Sequence, residues 1–142
     1  MVETLSSKAR EQPGRILARG AAQHLRDLGF APVTEFTTPE GRRMDLCALG
    51  PKGEIWCVEV KSSRADFQSD AKWQHYLPFC DRFFFAVPEG FAEDLLPPAE
   101  GLMRVDAYDG AIIRMGQDRP LAAARRRSLT LAFARHAALR LG

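Results

Sequence analysis

The sequence lacks any long apolar run, contains only three cysteines and carries little net charge. No stretch approaches the roughly 20 apolar residues of a membrane-spanning helix. The first residues contain no apolar segment either, so we expect neither a membrane anchor nor an export signal. Cys47, Cys57 and Cys80 are an odd number without metal-motif spacing, which favours free thiols in a reducing cytoplasm. The formal charge of +2 is too small to indicate nucleic-acid binding by itself.

Length and composition indicate one ordinary globular domain. The chain has 142 residues, of which 46% are hydrophobic and 27% charged, as is usual for a domain with a single core. Residues 1–12 are polar and unpatterned, and we interpret them as a flexible N-terminal lead-in. Residues 13–142 then form the domain.

Apolar periodicity and turn residues predict helices near both ends of the chain and short strands between them. The predicted elements are a helix from Pro13 to Leu28 ended by Gly29, a strand over 31–37, a helix over 67–77 closed by Pro78, a buried central strand over 82–87, one turn of helix within 91–98, a hairpin of strands 103–108 and 111–115 joined by Asp109-Gly110, and a helix over 120–141. The stripes expected to face the core are Leu17, Ala21, Leu25 and Leu28 in the first helix, and Leu129, Ala132, Phe133, His136 and Leu139 in the last.

Between these elements, residues 42–61 read as a β-hairpin, because two apolar runs flank a turn of Gly and Pro. If that turn pairs Leu49 with Ile55, then Cys47 lies opposite Cys57. A slip of one residue would send every side chain to the other face. The position of the ionisable residues in the hairpin therefore depends on this register.

Three ionisable side chains converge if the register holds. Asp45 then lies opposite Glu59, with Cβ atoms roughly 5 Å apart. Strand side chains alternate between faces, so Glu59 and Lys61 share one face while Val58 and Val60 take the other. Ionisable residues are usually kept out of strand interiors, which makes this patch a candidate site.

Two carboxylates at that separation repel each other and favour a hard divalent cation such as Mg²⁺ between them. Such a cation lowers the pKa of a bound water and neutralises charge on a phosphoryl group. The neighbouring Lys61 ammonium can orient that water or stabilise developing negative charge. The alternative is a salt bridge of Lys61 with Glu59 or Asp45 on a half-exposed face, worth about 0–1 kcal/mol.

The order of these residues resembles a known nuclease signature. Asp45, an apolar strand and then Glu59-Val60-Lys61 is similar to the PD-(D/E)xK motif, with Met44 in place of the usual proline. A more extended set of residues resembles the bacterial MmcB-like DNA repair protein family. That set comprises Glu35-Phe36, residues 41–45, 59–63, Asp66-Phe67, Asp70, Lys72-Trp73, 80–82, 84–88, 120–126 and 133–135.

The resemblance implies a single-domain α/β fold of the restriction-endonuclease-like type, with a mixed central sheet flanked by helices. It also implies metal-dependent hydrolysis of DNA phosphodiester bonds in repair. Asp45 and Glu59 would ligate Mg²⁺ or Mn²⁺ together with the backbone carbonyl of Val60, and Lys61 would position the attacking water. Glu35, in the neighbouring strand, would join the catalytic residues; its alternative is an exposed strand glutamate.

Basic residues are the candidates for DNA contact. Residues 119–142 carry six arginines and no acidic residue, which suits phosphate contacts but also solubility and a helix C-terminus. The residues that we assign to DNA binding are Arg42, Arg43, Arg64, Arg125, Arg126 and Arg127.

Several polar and aromatic residues follow the hairpin. Asp66, Asp70 and Lys72 are expected to flank the strand end that carries Lys61, and they are either supporting groups of the site or a solvated face. Trp73 and Tyr76 are expected to be core or rim aromatics rather than base-stacking platforms.

The resemblance implies DNA as the partner and a bacterial cytoplasm with nucleoid association as the location. Branched or damaged DNA, a homodimer and repair-protein partners are alternatives that the sequence leaves open. The competing function is a nuclease-fold module that binds DNA or recruits partners with little or no cleavage. A structural ion-pair cluster is the third interpretation.

Overall fold

Six strands form one mixed β-sheet, with helices packed on both faces. The computed structural model describes residues 13–142, so the lead-in predicted for residues 1–12 lies outside the described residues. The elements in chain order are helix α1 (Pro13–Asp27), strands β1 (Ala31–Thr37), β2 (Arg43–Leu49) and β3 (Ile55–Val60), helix α2 (Arg64–Ser69), a 3₁₀ helix (Trp73–Phe79), strand β4 (Arg82–Val87), a 3₁₀ turn (Glu93–Leu95), strands β5 (Gly101–Val105) and β6 (Gly110–Arg114), and helix α3 (Ala123–Leu141).

The strands follow one another across the sheet in chain order. β4 runs parallel to both β3 and β5, whereas β1–β2, β2–β3 and β5–β6 are antiparallel. The parallel pairs need crossover connections, which α2 and the two 3₁₀ segments supply. The predicted α/β class with a mixed central sheet flanked by helices is therefore confirmed. No helix within residues 13–142 has the length and apolar character needed to cross a membrane.

Strand β4 lies at the centre of the core, because α1 and α3 cover opposite faces of the sheet. Phe84 belongs to the cluster that contains Leu25 of α1, while Phe83 and Phe85 belong to the cluster that contains Phe133 of α3. Residues 83–87 of β4 are all buried and apolar, as expected for a strand covered on both faces, so the prediction of a buried central strand is confirmed.

The register of the central hairpin is as predicted. Leu49 pairs with Ile55 and Cys47 with Cys57. All three cysteines of the chain are buried free thiols. Burial, with a smaller contribution from Cys80, raises the pKa of Cys47 to about 12, so this thiol has little nucleophilic character.

The alternation of side chains between faces is interrupted where β1 and β2 approach the site. Met44 and Cys47 pack in one core cluster, although Leu46 packs in the cluster on the other face. Glu35, opposite Asp45 in the continuation of the β1–β2 register, has a φ of +51°. A non-glycine residue held in this left-handed region costs about 1–3 kcal/mol. The strain lies beside the predicted site.

The helix predicted over 67–77 is wrong in extent. α2 ends before Asp70, and a separate 3₁₀ helix that contains Pro78 follows it. The backbone of Asp70 is extended, and its carboxylate accepts hydrogen bonds from Lys61 Nζ and from the Lys72 N–H. These side-chain bonds compete with continuation of the helix, which the apolar periodicity could not indicate.

The second hairpin is confirmed, but its predicted turn is wrong and its strands begin one or two residues earlier. Val105 pairs with Gly110, so a longer loop replaces the two-residue Asp109-Gly110 turn. The Asp106 carboxylate accepts hydrogen bonds from the N–H groups of Tyr108 and Asp109. These bonds stabilise the longer loop.

Two members of the predicted helical stripes are exposed. Leu28 lies beyond the end of α1 and is 44% exposed, and Leu139 is 72% exposed. α3 begins at Ala123 rather than residue 120. Its 19 residues span about 28 Å, longer than the roughly 20 Å of the strands that it covers, so only its middle, at Leu129 and Phe133, is buried.

Candidate active site

An open cavity of about 680 Å³ lies where β3 ends, between the sheet and the start of α1. Its sheet wall includes Asp45, Glu59, Val60 and Lys61, and Glu35 also lines it. The structure therefore brings together in one cavity all the residues that the sequence assigns to catalysis or metal binding.

Asp45 is linked across β2 and β3 by two hydrogen bonds, one with Glu59 and one with Val60. Glu59 Oε1 accepts from the Asp45 N–H at 3.4 Å, and Asp45 Oδ2 accepts from the Val60 N–H at 2.8 Å. Glu59 is only 7% exposed, whereas Asp45 is half-buried and closer to solvent. The second hydrogen bond fixes the Asp45 carboxylate against the end of β3.

The buried carboxylate pair is electrostatically costly. Burial first, and then the Asp45 charge and side-chain hydrogen bond, together raise the pKa of Glu59 to about 9, and Lys61 lowers it by less. Burial, followed by Glu59, also raises the pKa of Tyr76 to about 12. Without a cation, the raised pKa of Glu59 favours a proton on the carboxylate pair at neutral pH.

Lys61 is buried and belongs to an ion pair that the sequence did not specify. It is 5% exposed, and its Nζ lies 2.6 Å from Asp70 Oδ2. Burial opposes ionisation of Asp70, but hydrogen bonds from Lys61 and from the Lys72 N–H hold its pKa below the usual value. The alternative of a half-exposed salt bridge between Lys61 and Glu59 or Asp45 does not describe this arrangement. Asp70 holds the lysine in place.

Glu35 lines the cavity but lies at its outer edge. Its side chain is 48% exposed and stands 4.0 Å from the guanidinium of Arg15. Within residues 13–142, no group of three or more histidine, cysteine or acidic side chains is arranged to hold a metal ion. The two oxygen-donating carboxylates, Asp45 and Glu59, suit a hard cation whose remaining ligands are water and substrate, and do not suit a closed protein cage.

The predicted DNA-binding residues are distributed over separate parts of the surface. Arg43 is exposed and lines the cavity. Arg64, at the start of α2, is exposed but does not line the cavity. Arg42 precedes Arg43 in the chain, is half-buried and does not line the cavity either. Only Arg43 therefore lies next to the carboxylate pair.

The three consecutive arginines of α3 have different surroundings. Arg126 donates hydrogen bonds of 2.6 and 2.7 Å to the two oxygens of Asp81. The Arg125 guanidinium lies 4.7 Å from the ring centroid of Phe79. Arg127 is exposed. Of the three, Arg127 has the side chain most accessible to a ligand.

Two arginines of α1 also line the cavity and were not predicted to belong to it. Arg15 and Arg19 lie one helical turn apart on the exposed side of α1. Their i, i+4 spacing places them on one helix face. That spacing was visible in the sequence, but only the packing of α1 against the sheet shows which residues the face meets.

Comparison with known proteins identifies the family. The family model described as "DNA repair protein MmcB-like" matches residues 2–142. The chain belongs to the MmcB-like family. The similarity to a family of DNA repair proteins extends over almost the whole MmcB-like chain, including every residue of the cavity.

Two individual proteins resemble this MmcB-like chain. One is a solved protein of unknown function from Silicibacter pomeroyi, which is 57% identical and has a TM-score of 0.89, with 92% of this chain and 90% of that chain covered. The other is the DNA repair protein RecO of Xanthobacter autotrophicus, 33% identical over 103 residues. That match covers 70% of this chain but only 36% of the RecO protein, so this chain corresponds to about a third of that relative.

Proposed function

We propose that this MmcB-like protein is a metal-dependent nuclease of the PD-(D/E)xK, restriction-endonuclease-like type that cleaves DNA phosphodiester bonds during repair. The observation that supports this function is the convergence of Asp45, Glu59 and Lys61 at the base of one open cavity. The family membership and the name of the RecO relative support DNA as the substrate.

The chain's own residues divide the chemistry among them. Asp45 and Glu59 would provide carboxylate oxygens and Val60 its carbonyl for Mg²⁺ or Mn²⁺, while the Val60 N–H holds Asp45 in place. A bound divalent cation would neutralise charge on the phosphate and lower the pKa of an attacking water. Lys61, fixed by Asp70, orients that water or stabilises negative charge on the phosphate.

A second candidate is a nuclease-fold module that binds DNA or recruits a repair partner without cleavage. One observation favours it: the described residues contain no third carboxylate, histidine or cysteine grouped with Asp45 and Glu59 for metal binding. A weakly held cation would leave the cavity suited to binding alone.

Cleavage assays on a panel of branched, damaged, duplex and single-stranded DNAs, with and without Mg²⁺ or Mn²⁺, distinguish the candidates. Asp45→Asn, Glu59→Gln and Lys61→Ala are each expected to reduce metal-stimulated cleavage by about 10²–10⁴-fold. Lys61→Ala should leave metal binding largely intact, because lysine is not a ligand. Glu89→Gln, an exposed glutamate outside this cavity, is the matched control.

Three outcomes are informative. Loss of cleavage in the three variants with normal melting temperatures supports the nuclease. Tight DNA binding without cleavage by the wild-type protein on any DNA favours the module. If metal never binds and the three variants melt at much lower temperatures, the cluster is structural and the nuclease candidate fails.

A further inference from the structure

The carboxylates of the cavity face a basic wall that belongs to a different part of the chain. Arg15 and Arg19 of α1 line the same cavity as Asp45 and Glu59. The helix is held there by its buried side, because Leu25 packs in the core cluster on that face of the sheet. The backbone positions of the two arginines are therefore fixed by the packed helix rather than carried on a loop.

The placement of the two arginines is unfavourable for the isolated helix. Like charges at i, i+4 on one helix face repel each other. The ion pair of Arg15 with Glu35 is weak, because its atoms are 4.0 Å apart and both side chains are about half exposed or more. A pair of cations at this spacing becomes favourable when an anion lies between them.

The geometry restricts the class of anion. Guanidinium groups present planar pairs of N–H donors that match the oxygens of a phosphate. Arg43 lines the same cavity, so cationic groups are present on both the helix and the sheet side of the carboxylate pair. A chain of phosphates can contact these cations while one phosphate reaches Asp45 and Glu59.

We infer that Arg15 and Arg19 form the second wall of a nucleic-acid groove and bind backbone phosphates next to the one at the carboxylate pair. This inference rests on the proposed function for the identity of the ligand as DNA. It assigns to α1 a role in substrate binding, and it places the DNA strand between α1 and the ends of β2 and β3.

The test is the salt dependence of DNA binding in EDTA, which needs neither metal nor cleavage. Fluorescence anisotropy with labelled single-stranded and duplex oligonucleotides is measured for the wild type, Arg15→Ala/Arg19→Ala and the control Arg26→Ala. Arg26 is exposed on the same helix but outside the cavity lining. Alanine is the best helix former, so the double variant should remain folded.

The double variant is expected to reduce the slope of log affinity against log salt by about 1.8 for duplex or about 1.4 for single strands, for two lost phosphate contacts. Arg26→Ala should leave the slope unchanged. Equal slopes for the wild type and the double variant would overturn the inference, even if cleavage assays support the nuclease. A reduced slope in a protein that never cleaves supports the groove and rejects catalysis. No DNA binding by the wild type in EDTA would also overturn the inference, whereas the cleavage assays with metal test the nuclease separately.

Discussion

Replacing Glu59 by Gln should stabilise the protein in EDTA, and increasingly so as pH rises. The change keeps the size of the side chain and removes its ability to ionise. In the folded protein, burial and then Asp45 raise the pKa of Glu59 to about 9, from an ordinary value of 4.5. Between those two pH values the folded protein retains a proton that the unfolded chain has lost.

The sign follows from proton binding. Because the folded state binds more protons than the unfolded state in this window, the free energy of unfolding falls as pH rises. The full effect of one such group is about 1.4 kcal/mol per pH unit. Between pH 5 and 8 the wild type should therefore lose up to about 4 kcal/mol relative to Glu59→Gln. Structural relaxation and water entry would reduce this value.

Urea unfolding in EDTA at pH 5, 6, 7 and 8 measures the difference directly. Glu89→Gln, which removes an exposed carboxylate, should follow the wild-type profile. If the wild type and Glu59→Gln have parallel profiles of stability against pH, Glu59 is ionised throughout. The argument that burial and Asp45 suppress its charge would then be refuted.

Two further predictions concern the C-terminal helix. Asp81→Asn should destabilise the protein by about 2–3 kcal/mol in urea unfolding. The reason is that Asp81 accepts hydrogen bonds from Ile55, Leu121 and Arg126. An unchanged unfolding midpoint would contradict this prediction. Arg127→Ser should reduce the slope of log affinity against log salt for DNA binding by about 0.9. Arg126→Ser should mainly lower the melting temperature. Equal slopes for Arg127→Ser and the wild type would show that Arg127 serves solubility rather than DNA binding.

The hairpin and its register could be predicted because local chemistry determines both. The Gly/Pro turn and the apolar runs pair Leu49 with Ile55, and this one register brings Asp45 to Glu59. The central strand was equally clear, because a strand covered on both faces contains only apolar residues over most of its length. In these elements the local sequence pattern favours the same structure as the packing of the whole sheet.

The remaining features depend on contacts between distant residues. Asp70 interrupts the predicted helix because it pairs with Lys61, nine residues earlier. Arg126 was predicted to contact DNA, but in the structure it forms an ion pair with Asp81. The basic wall of α1 is evident only once α1 is packed on the sheet. Periodicity describes one element at a time, so it cannot report which charged groups meet.

The energetic costs of the fold are concentrated at the cavity, and this concentration favours function over stability as the reason for its residues. Glu35 is held at a strained φ, two carboxylates share a largely buried position, and a lysine is 5% exposed. An ion-pair cluster that served stability alone would not need adjacent carboxylates, because burial and mutual repulsion make it costly to ionise both. Asp81 with Arg126 shows the alternative in the same chain: one acid, one base and saturated hydrogen bonds. The cavity differs from that pair because it holds two adjacent carboxylates at its base, where a bound cation could replace the proton that the raised pKa of Glu59 favours.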